Sequence, residues 1–418
     1  MLILLIAGIF ILAALGLPIG FSLMIPSAIV MKAVGMDLLT LPTTLFAGTT
    51  SFVILAVPLF IFMGELMSAT SIAERLVNFA RTIVGWMRGG LAHVNIVSNM
   101  FMAEISGSSV ADAAALGKIF IPQMTRIGYP KPYAATVTST AAIIGIIIPP
   151  SIPLVVYGAV TNTSIRDLFL SGIVPGVLLG LIFMMTSYIF ARRKNHPVDQ
   201  KFQASRVVPT LKQAVIPLMI PVIIIGGLIG GLFTATEAAA IGVVIALIFG
   251  LMVRELNLRT LYRLLIRSTY QTAAVMIILA GAAALGQVLA NEQIPQRVAM
   301  FIGSIAHTTD TFLLLVNGLL LIVGMFLQPS AAIIIIVPIL VPIAVSMGID
   351  PVHFGIVVCV NLAIGQQTPP VANVLLTVCG ISGVKMQETF PYLVWYIMAM
   401  LIVLMLTTYV PFLAMWFR

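Results

Sequence analysis

Charge is what this sequence has least of. Asp, Glu, Lys and Arg make up 8% of its 418 residues and hydrophobic residues 61%, whereas roughly a quarter of a soluble globular chain is charged. A soluble domain is excluded, and a polytopic helical membrane protein is what remains. Acidic residues are the scarcer sign, 13 against 21 Lys and Arg, giving a formal charge of +8. That excess does not mark a nucleic-acid binder, because Lys and Arg fall in short loops between apolar segments. Cysteine is nearly absent: Cys359 and Cys379 lie in apolar segments without partners at metal spacing and read as small buried hydrophobes. Enzyme motifs are missing as well. There is no His-Glu-x-x-His and no Gly-x-Ser-x-Gly around a membrane serine, and Gly117-Lys118 is followed by Ile119 rather than Ser or Thr, so it is no P-loop. ATP hydrolysis and intramembrane proteolysis are therefore argued against. The N-terminal run MLILLIAGIFILAALGL lacks the basic start of a cleaved signal and reads as a retained first span.

What is present is a duplication. Pro122, Gly128, Gly145, Pro149 and Pro150 recur as Pro342, Gly348, Gly365, Pro369 and Pro370, each displaced by 220 positions. Gly64, Arg75 and Phe79 are echoed by Gly286, Arg297 and Phe301. A Gly-x-x-x-Pro-Pro in an apolar helix interrupts it, since proline has no amide donor and clashes with the preceding turn. Backbone groups freed at membrane depth are tolerated only against protein or a polar cavity, and matched breaks in two halves point to a transporter's binding site.

The spans follow. Residues 2–34, punctuated by Gly16-Leu17-Pro18-Ile19-Gly20, are expected to form two short spans, and 43–68 one clear span. Residues 70–90, with Glu74, Arg75, Arg81, Trp86 and Arg88, suit an interfacial helix. Residues 91–128 read as a re-entrant hairpin with Ser106-Gly107-Ser108-Ser109 at its tip, because each arm is short for a bilayer core of about 30 Å. Residues 311–347 are its counterpart, with Gln328-Pro329-Ser330 at the tip. Each hairpin precedes a broken helix, 131–163 and 351–381. The remaining spans are 170–190, 213–232, 234–253, 269–290 and 390–415. A first repeat over 1–190, a basic linker over 191–212 and a second repeat over 213–418 complete the organisation.

That linker carries Arg192, Arg193, Lys194, Lys201, Arg206 and Lys212 against Asp199, which places it in the cytoplasm. Counting crossings from there leaves every Lys and Arg on the same side except Lys32, Arg166, Arg297, Arg418 and the intra-hairpin Lys118. An odd number of crossings separates the copies, so they are inverted and their tips meet near the midplane. Ser106, Ser108, Ser109, Thr138, Ser139, Thr140 and Ser151 gather there from the first unit. Gln328, Ser330, Asn361, Gln366, Gln367, Thr368 and Asn373 gather from the second, and no Lys or Arg joins them. Hydroxyls, amides and freed carbonyls suit a desolvated Na+, and half-helix N-termini favour an anion. Small polar residues also glue membrane helices together, but their clustering at two symmetric breaks favours a site. Glu65, Glu104, Asp112 and Glu237 are the carboxylates in or beside apolar segments. Asp112 and Glu104 leave proton coupling as an alternative to sodium, whereas Glu237 reads as a first-turn acid capped with Thr234. Histidines 93, 196, 307 and 353 share no spacing and read as structural, and the 23 methionines as packing.

The runs Ile105 to Asp112, Ile148 to Pro153, Gly348 to Gly355 and Asn361 to Pro370 together resemble the large membrane subunit of tripartite ATP-independent periplasmic (TRAP) transporters. The resemblance implies an all-α elevator-type secondary transporter of the bacterial inner membrane, with Na+ as coupling ion and no other cofactor. It also implies two partners, a small membrane subunit and a periplasmic substrate-binding protein delivering an organic acid. Carried over by motif, Ser106, Ser108, Ser109, Gly145, Ile148 and Pro149 form one sodium site, and Gln328, Ser330, Gly365, Thr368 and Pro369 the other. Ser108, Ser151, Asn361, Gln366, Gln367 and Asn373 face substrate between them. Thr234-Ala235-Thr236-Glu237 stands where the family commonly has Thr-Pro-Thr-Glu, and Gln328 where it often has an acid; the second departure argues against a carboxylate ligand at that tip. Gly365-Gln366-Gln367-Thr368-Pro369-Pro370 resembles sialic-acid members, with dicarboxylates and sugar acids open. A free-standing sodium- or proton-coupled anion symporter would share the repeat and hairpins.

Overall fold

In an apolar chain, helices stop where proline, glycine or backbone-bonding hydroxyls stop them. The computed structural model describes residues 2–106, 108–294, 296–297, 300 and 308–418, without the side chains of residues 2–4, 6, 14 and 104–106. Gly107, Phe301, His307 and the side chains of Glu104 and Ser106 thus lie outside the described residues.

The first unit opens with α1 (Leu2–Ala14) and α2 (Ile19–Ala33), two helices packed together as expected. The turn between them uses Gly16 at φ +88° and Pro18 at the helix start, conformations those two residues favour. The stretch 43–68 differs from the expectation of one span. It is α3 (Thr40–Ala47) and α4 (Ala56–Ser68), joined through a 3-10 turn at Phe52–Leu55 and bent by 53°. Thr49 and Thr50 donate their hydroxyls to the carbonyls of Phe46 and Ala47, a local alternative to the helical ladder. Next is α5 (Ile72–Val84), which buries Ile72, Leu76, Val77, Ala80 and Val84 and leaves Trp86 exposed just beyond its end. Then come α6 (Gly90–Ser106), α7 (Ser109–Arg126), α8 (Lys131–Ala142) running into a 3-10 turn at Ile143–Ile146, α9 (Ile152–Thr161) and α10 (Ile165–Lys194).

The second unit repeats this order. After α11 (Ala204–Ile229), α12 (Ala235–Met252) and α13 (Leu258–Asn291) come α14 (Thr309–Phe326), α15 (Pro329–Ser346), α16 (Pro351–Gly365), α17 (Asn373–Ser382), α18 (Met386–Tyr409) and α19 (Phe412–Met415). Helices α7 and α15, and the first residues of α8 and α16, are displaced by the same 220 positions seen in the sequence. Among the described residues, seven helices are long and apolar enough to cross a membrane, or eight with the bent pair. The hairpin arms have 17 or 18 residues, about 27 Å at most, against a bilayer core of about 30 Å. Glu237 has the role expected of it: it accepts from the Thr234 amide at 2.8 Å while Thr234 caps the Glu237 amide.

Packing sorts the helices into two bodies. In the outer one, α2, α3 and α4 pack on α13, α4 on α12, and α12 on α11. In the inner one, the hairpins pack on the broken helices. Helices α10 and α18, which contain the spans expected at 170–190 and 390–415, pack on each other and on the broken helices and belong to the inner body. Glycine makes this approach close. A Cβ at Gly172 of α10 would stand 2.3 Å from the Ile147 carbonyl oxygen. Helix α5 touches both bodies, packing on α6 and α11. The non-helical part of the linker, 195–203, docks on it: the Asp199 and Gln200 amides bond the Gly85 carbonyl, and Asp199 pairs with Arg81 at 2.9 Å.

One close helix crossing is testable. A Cβ at Gly365 would lie 2.4 Å from Gly324 Cα, whereas one at Gly286 meets nothing within 4 Å. G365A should lower the melting temperature in detergent by several degrees, an overpacking cost of about 1–3 kcal/mol; G286A should leave it unchanged or slightly raised.

Candidate functional site

At the first break, proline removes amide donors and the chain finds other partners. Helix α8 tightens into its 3-10 turn, Pro149-Pro150 is a cis bond, and α9 resumes at Ile152. Every residue from Ala141 to Ser151 is buried. Ser151 spans the break by donating its hydroxyl to the Ile146 carbonyl at 2.6 Å. The first hairpin closes on Gly145: from the point where a Cβ would stand there, Asp112 Oδ2 is 3.1 Å away and Ala103 Cα 3.6 Å. Ser108 caps α7 by accepting from the Ala111 amide, and Ser109 is buried in the first turn. Asn95 of α6 donates to the Thr138 hydroxyl at 2.7 Å, and Asn99 donates to Asn95.

The second break is built alike and tied more openly to its hairpin. Gln366 donates to the Leu327 carbonyl at the tip, 3.1 Å away. The Thr368 hydroxyl donates back to the Ile364 carbonyl, and Pro369-Pro370 is again cis. Ala372, fully buried at φ +50°, then turns the chain into α17, which Asn373 opens. A non-glycine residue rarely adopts that left-handed conformation, and such strain collects at ligand sites. Asn361 donates to Asn317 Oδ1 at 2.8 Å, and Asn317 donates to the Thr408 hydroxyl, a ladder joining α16, α14 and α18.

The two units then meet. The Gln367 side-chain amide donates to the Ser139 carbonyl, a short bond from the second break to the first broken helix. Tyr157 of α9 donates to the Pro351 carbonyl at 2.7 Å. Helix α7 packs on α17 and α15 on α9, so each unit's hairpin leans on the other unit's broken helix.

Two electrostatic features result. Gln366 Oε1, Gln367 Oε1, Asn361 Oδ1 and Thr140 Oγ1 are buried and, among the described residues, reached by no hydrogen bond. These are neutral hard oxygens whose unmet cost, roughly 1–3 kcal/mol each, a desolvated cation would relieve. Secondly, α7, α9, α15 and α17 all begin at a tip or a break, and of the four only α7 has a side-chain cap. Their exposed amides carry partial positive charge toward the same region. The breaks differ in access: Thr368, Pro369 and Val371 are half-buried and Pro370 is exposed, whereas the first break is closed.

Most of the expected residues are thus brought together. Gly145, Ile148, Pro149 and Ser151 lie in one buried break with Ser108 and Ser109 at the adjoining tip, and Asn361, Gly365, Gln366, Gln367, Thr368 and Asn373 line the other. Gln328 is exposed and Ser330 half-buried in the first turn of α15, and the side chain of neither bonds to the break. The backbone of the second tip, through Leu327, makes that contact instead. Sequence reasoning passed over Asn95, Asn99 and Asn317, whose signal was an amide within an apolar helix.

Residues 6–413 match the family model described as the tripartite ATP-independent periplasmic transporter, DctM component. The chain is similar to the C4-dicarboxylate TRAP transporter large permease protein DctM of Pseudomonas aeruginosa, 39% identical over 89% of this chain and 87% of that one. It is also 37% identical to the sialic acid TRAP transporter large permease protein SiaM of Vibrio cholerae, over 88% and 87%. The isethionate TRAP transporter permease protein DctMQ of Oleidesulfovibrio alaskensis is 38% identical over 89% of this chain but only 59% of its own greater length. Among solved structures, the Alcanivorax borkumensis YdaH transporter shares the fold, with a TM-score of 0.64, 14% identity and coverage of 89% and 88%. The chain therefore belongs to the DctM family of TRAP transporters, a multi-pass membrane transport subunit and not an enzyme.

Proposed function

We propose that the chain imports an organic acid across the bacterial inner membrane, driven by a sodium gradient, fed by a periplasmic substrate-binding protein and joined by a small membrane subunit. The observation that carries this reading is the joined pair of breaks: buried neutral oxygens without donors beside converging helix N-termini, with cation and anion preferences side by side. One Na+ sits between the first tip and the Gly145 to Pro149 break, where the Asp112 carboxylate adds attraction. The other sits between the second tip and the Gly365 to Pro369 break. The acid lies between them, against Ser108, Ser151, Asn361, Gln366, Gln367 and Asn373. Sodium binds first and orders the tips, since moving an unneutralised anion through the bilayer is costly. The inner body then moves against the outer one as an elevator, along contacts made by α4, α5 and α13.

The solute class follows from relatives named for C4-dicarboxylates, sialic acid and isethionate, all small organic anions. The longer DctMQ relative is in keeping with a small-subunit partner.

Uptake of labelled sialic acid and of labelled succinate into proteoliposomes tests the reading, with each partner protein present or omitted. Accumulation should require all three proteins and an inward sodium gradient; unchanged uptake when potassium replaces sodium would falsify sodium coupling, and uptake by this chain alone would make it a free-standing symporter. Gln366→Leu and Gln367→Leu should each cut sodium-driven uptake at least about tenfold, some 1.4 kcal/mol. Thr377→Val should not, because that hydroxyl bonds only its own helix at Asn373. Asp112→Asn should raise the sodium concentration for half-maximal uptake, a shift read from sodium titrations at fixed pH; a pH-dependent loss without any sodium shift would instead assign Asp112 to proton coupling.

A further inference from the structure

Away from the breaks, a cavity of about 590 Å³ opens between α7 and the end of α17, lined by Gly117, Lys118, Thr125 and Arg126 together with Lys131 and Ser382. Three of these are cations, and among the described residues no carboxylate lines the cavity. Among the described residues none of the three makes an ion pair. Two hydroxyls at the wall donate elsewhere, Thr125 to the Ile121 carbonyl and Ser382 to that of Cys379. A fourth positive contribution comes from α8, which starts at Lys131 with Pro130 before it and no side-chain cap.

Topology at the membrane surface accounts for Arg126 and Lys131, which flank a short loop. It does not account for Lys118. Residues 118, 122 and 126 fall on one face of α7, so Lys118 stands two turns deeper than Arg126, about 12 Å along the axis. It is followed by Ile119, Phe120 and Ile121, where a cation is expensive unless something pairs with it. Three like charges around one water-accessible cavity repel, and an oxyanion within reach of all three turns that repulsion into charge-assisted hydrogen bonds.

We infer that this cavity is an oxyanion-binding site, separate from the two breaks and taking a carboxylate or phosphate group. Arg126 supplies the planar bidentate donor, Lys118 and Lys131 the flanking point charges, and the start of α8 a partial positive charge. Both walls lead inward, since α7 begins at the first tip and α17 at the second break. A group bound here touches the mobile body alone. Two sources share the chemistry: a soluble carboxylate or phosphate, and the phosphate of a lipid headgroup.

The test is thermal unfolding of the purified full chain in potassium salts at constant ionic strength, so that it does not depend on sodium coupling. Succinate and inorganic phosphate are titrated in neutral detergent, and phosphatidylglycerol nanodiscs are compared with phosphatidylcholine nanodiscs. The wild type should be stabilised by at least one oxyanion source. The triple variant Lys118→Gln, Arg126→Gln, Lys131→Gln should bind at least tenfold more weakly, and the single Lys118→Gln should show part of that loss. A charge-preserving triple, Lys118→Arg, Arg126→Lys, Lys131→Arg, should keep the response, which separates lost charge from lost folding. A response to the soluble anions assigns the free source and one confined to phosphatidylglycerol the headgroup, and both support the site. No response in wild type, or an equal response in the neutral triple, overturns it.

Discussion

A backbone carbonyl or amide at membrane depth needs a partner, because lipid offers none. The rest of this structure depends on how that demand is met where Pro149-Pro150 and Pro369-Pro370 stop two helices. Ser151 covers one freed carbonyl and Thr368 donates to another, and Gln366 and Gln367 anchor the second break to the Leu327 tip and to the Ser139 backbone. What is left over among the described residues, buried oxygens such as Gln366 Oε1 and Gln367 Oε1 without donors and several uncapped helix starts, is a demand not met by hydrogen bonds there. An arrangement of spare hard oxygens and helix N-termini is what the proposed Na+ and anion would satisfy.

The remainder of the inner body keeps those breaks in place. Glycines at Gly172, Gly324 and Gly365 let backbones approach closely enough to wall them in, and membrane helices, which gain little from hydrophobic association, depend on such small-residue crossings. Amides complete the frame, as in the Asn361–Asn317–Thr408 ladder. The outer body carries its own polar fixtures: Glu65 accepts from Gln271 at 2.6 Å and pairs with Arg267, and Glu237 closes a capping box. These two carboxylates are therefore structural, whereas Asp112 faces a break.

Much of this was legible in the sequence because proline and glycine act locally. The 220-residue offset located the hairpins and broken helices, and the Thr234/Glu237 spacing predicted its own cap. The bend at Gly48 to Ser51 was less legible, since Thr and Ser break a helix only when their hydroxyls take its carbonyls, a choice that depends on surroundings. The body to which α10 and α18 belong was not legible for a related reason: hydropathy marks a span but not what it packs on, and Gly172 declares its role only when Ile147 is seen opposite. That the second tip meets its break through the Leu327 backbone carbonyl, with the Gln328 side chain exposed, was not legible, because a tip motif does not say which of its atoms face inward.

The central claim is that the two breaks hold the coupling ion, and its most direct test is a pair of high-resolution cryo-electron microscopy maps of the full transporter, one in sodium and one in potassium. The account predicts sodium-only density beside Gly145 to Pro149 and beside Gly365 to Pro369, within coordination distance of backbone carbonyls. Maps without ion density at either break, or with the same density in both salts, would contradict it.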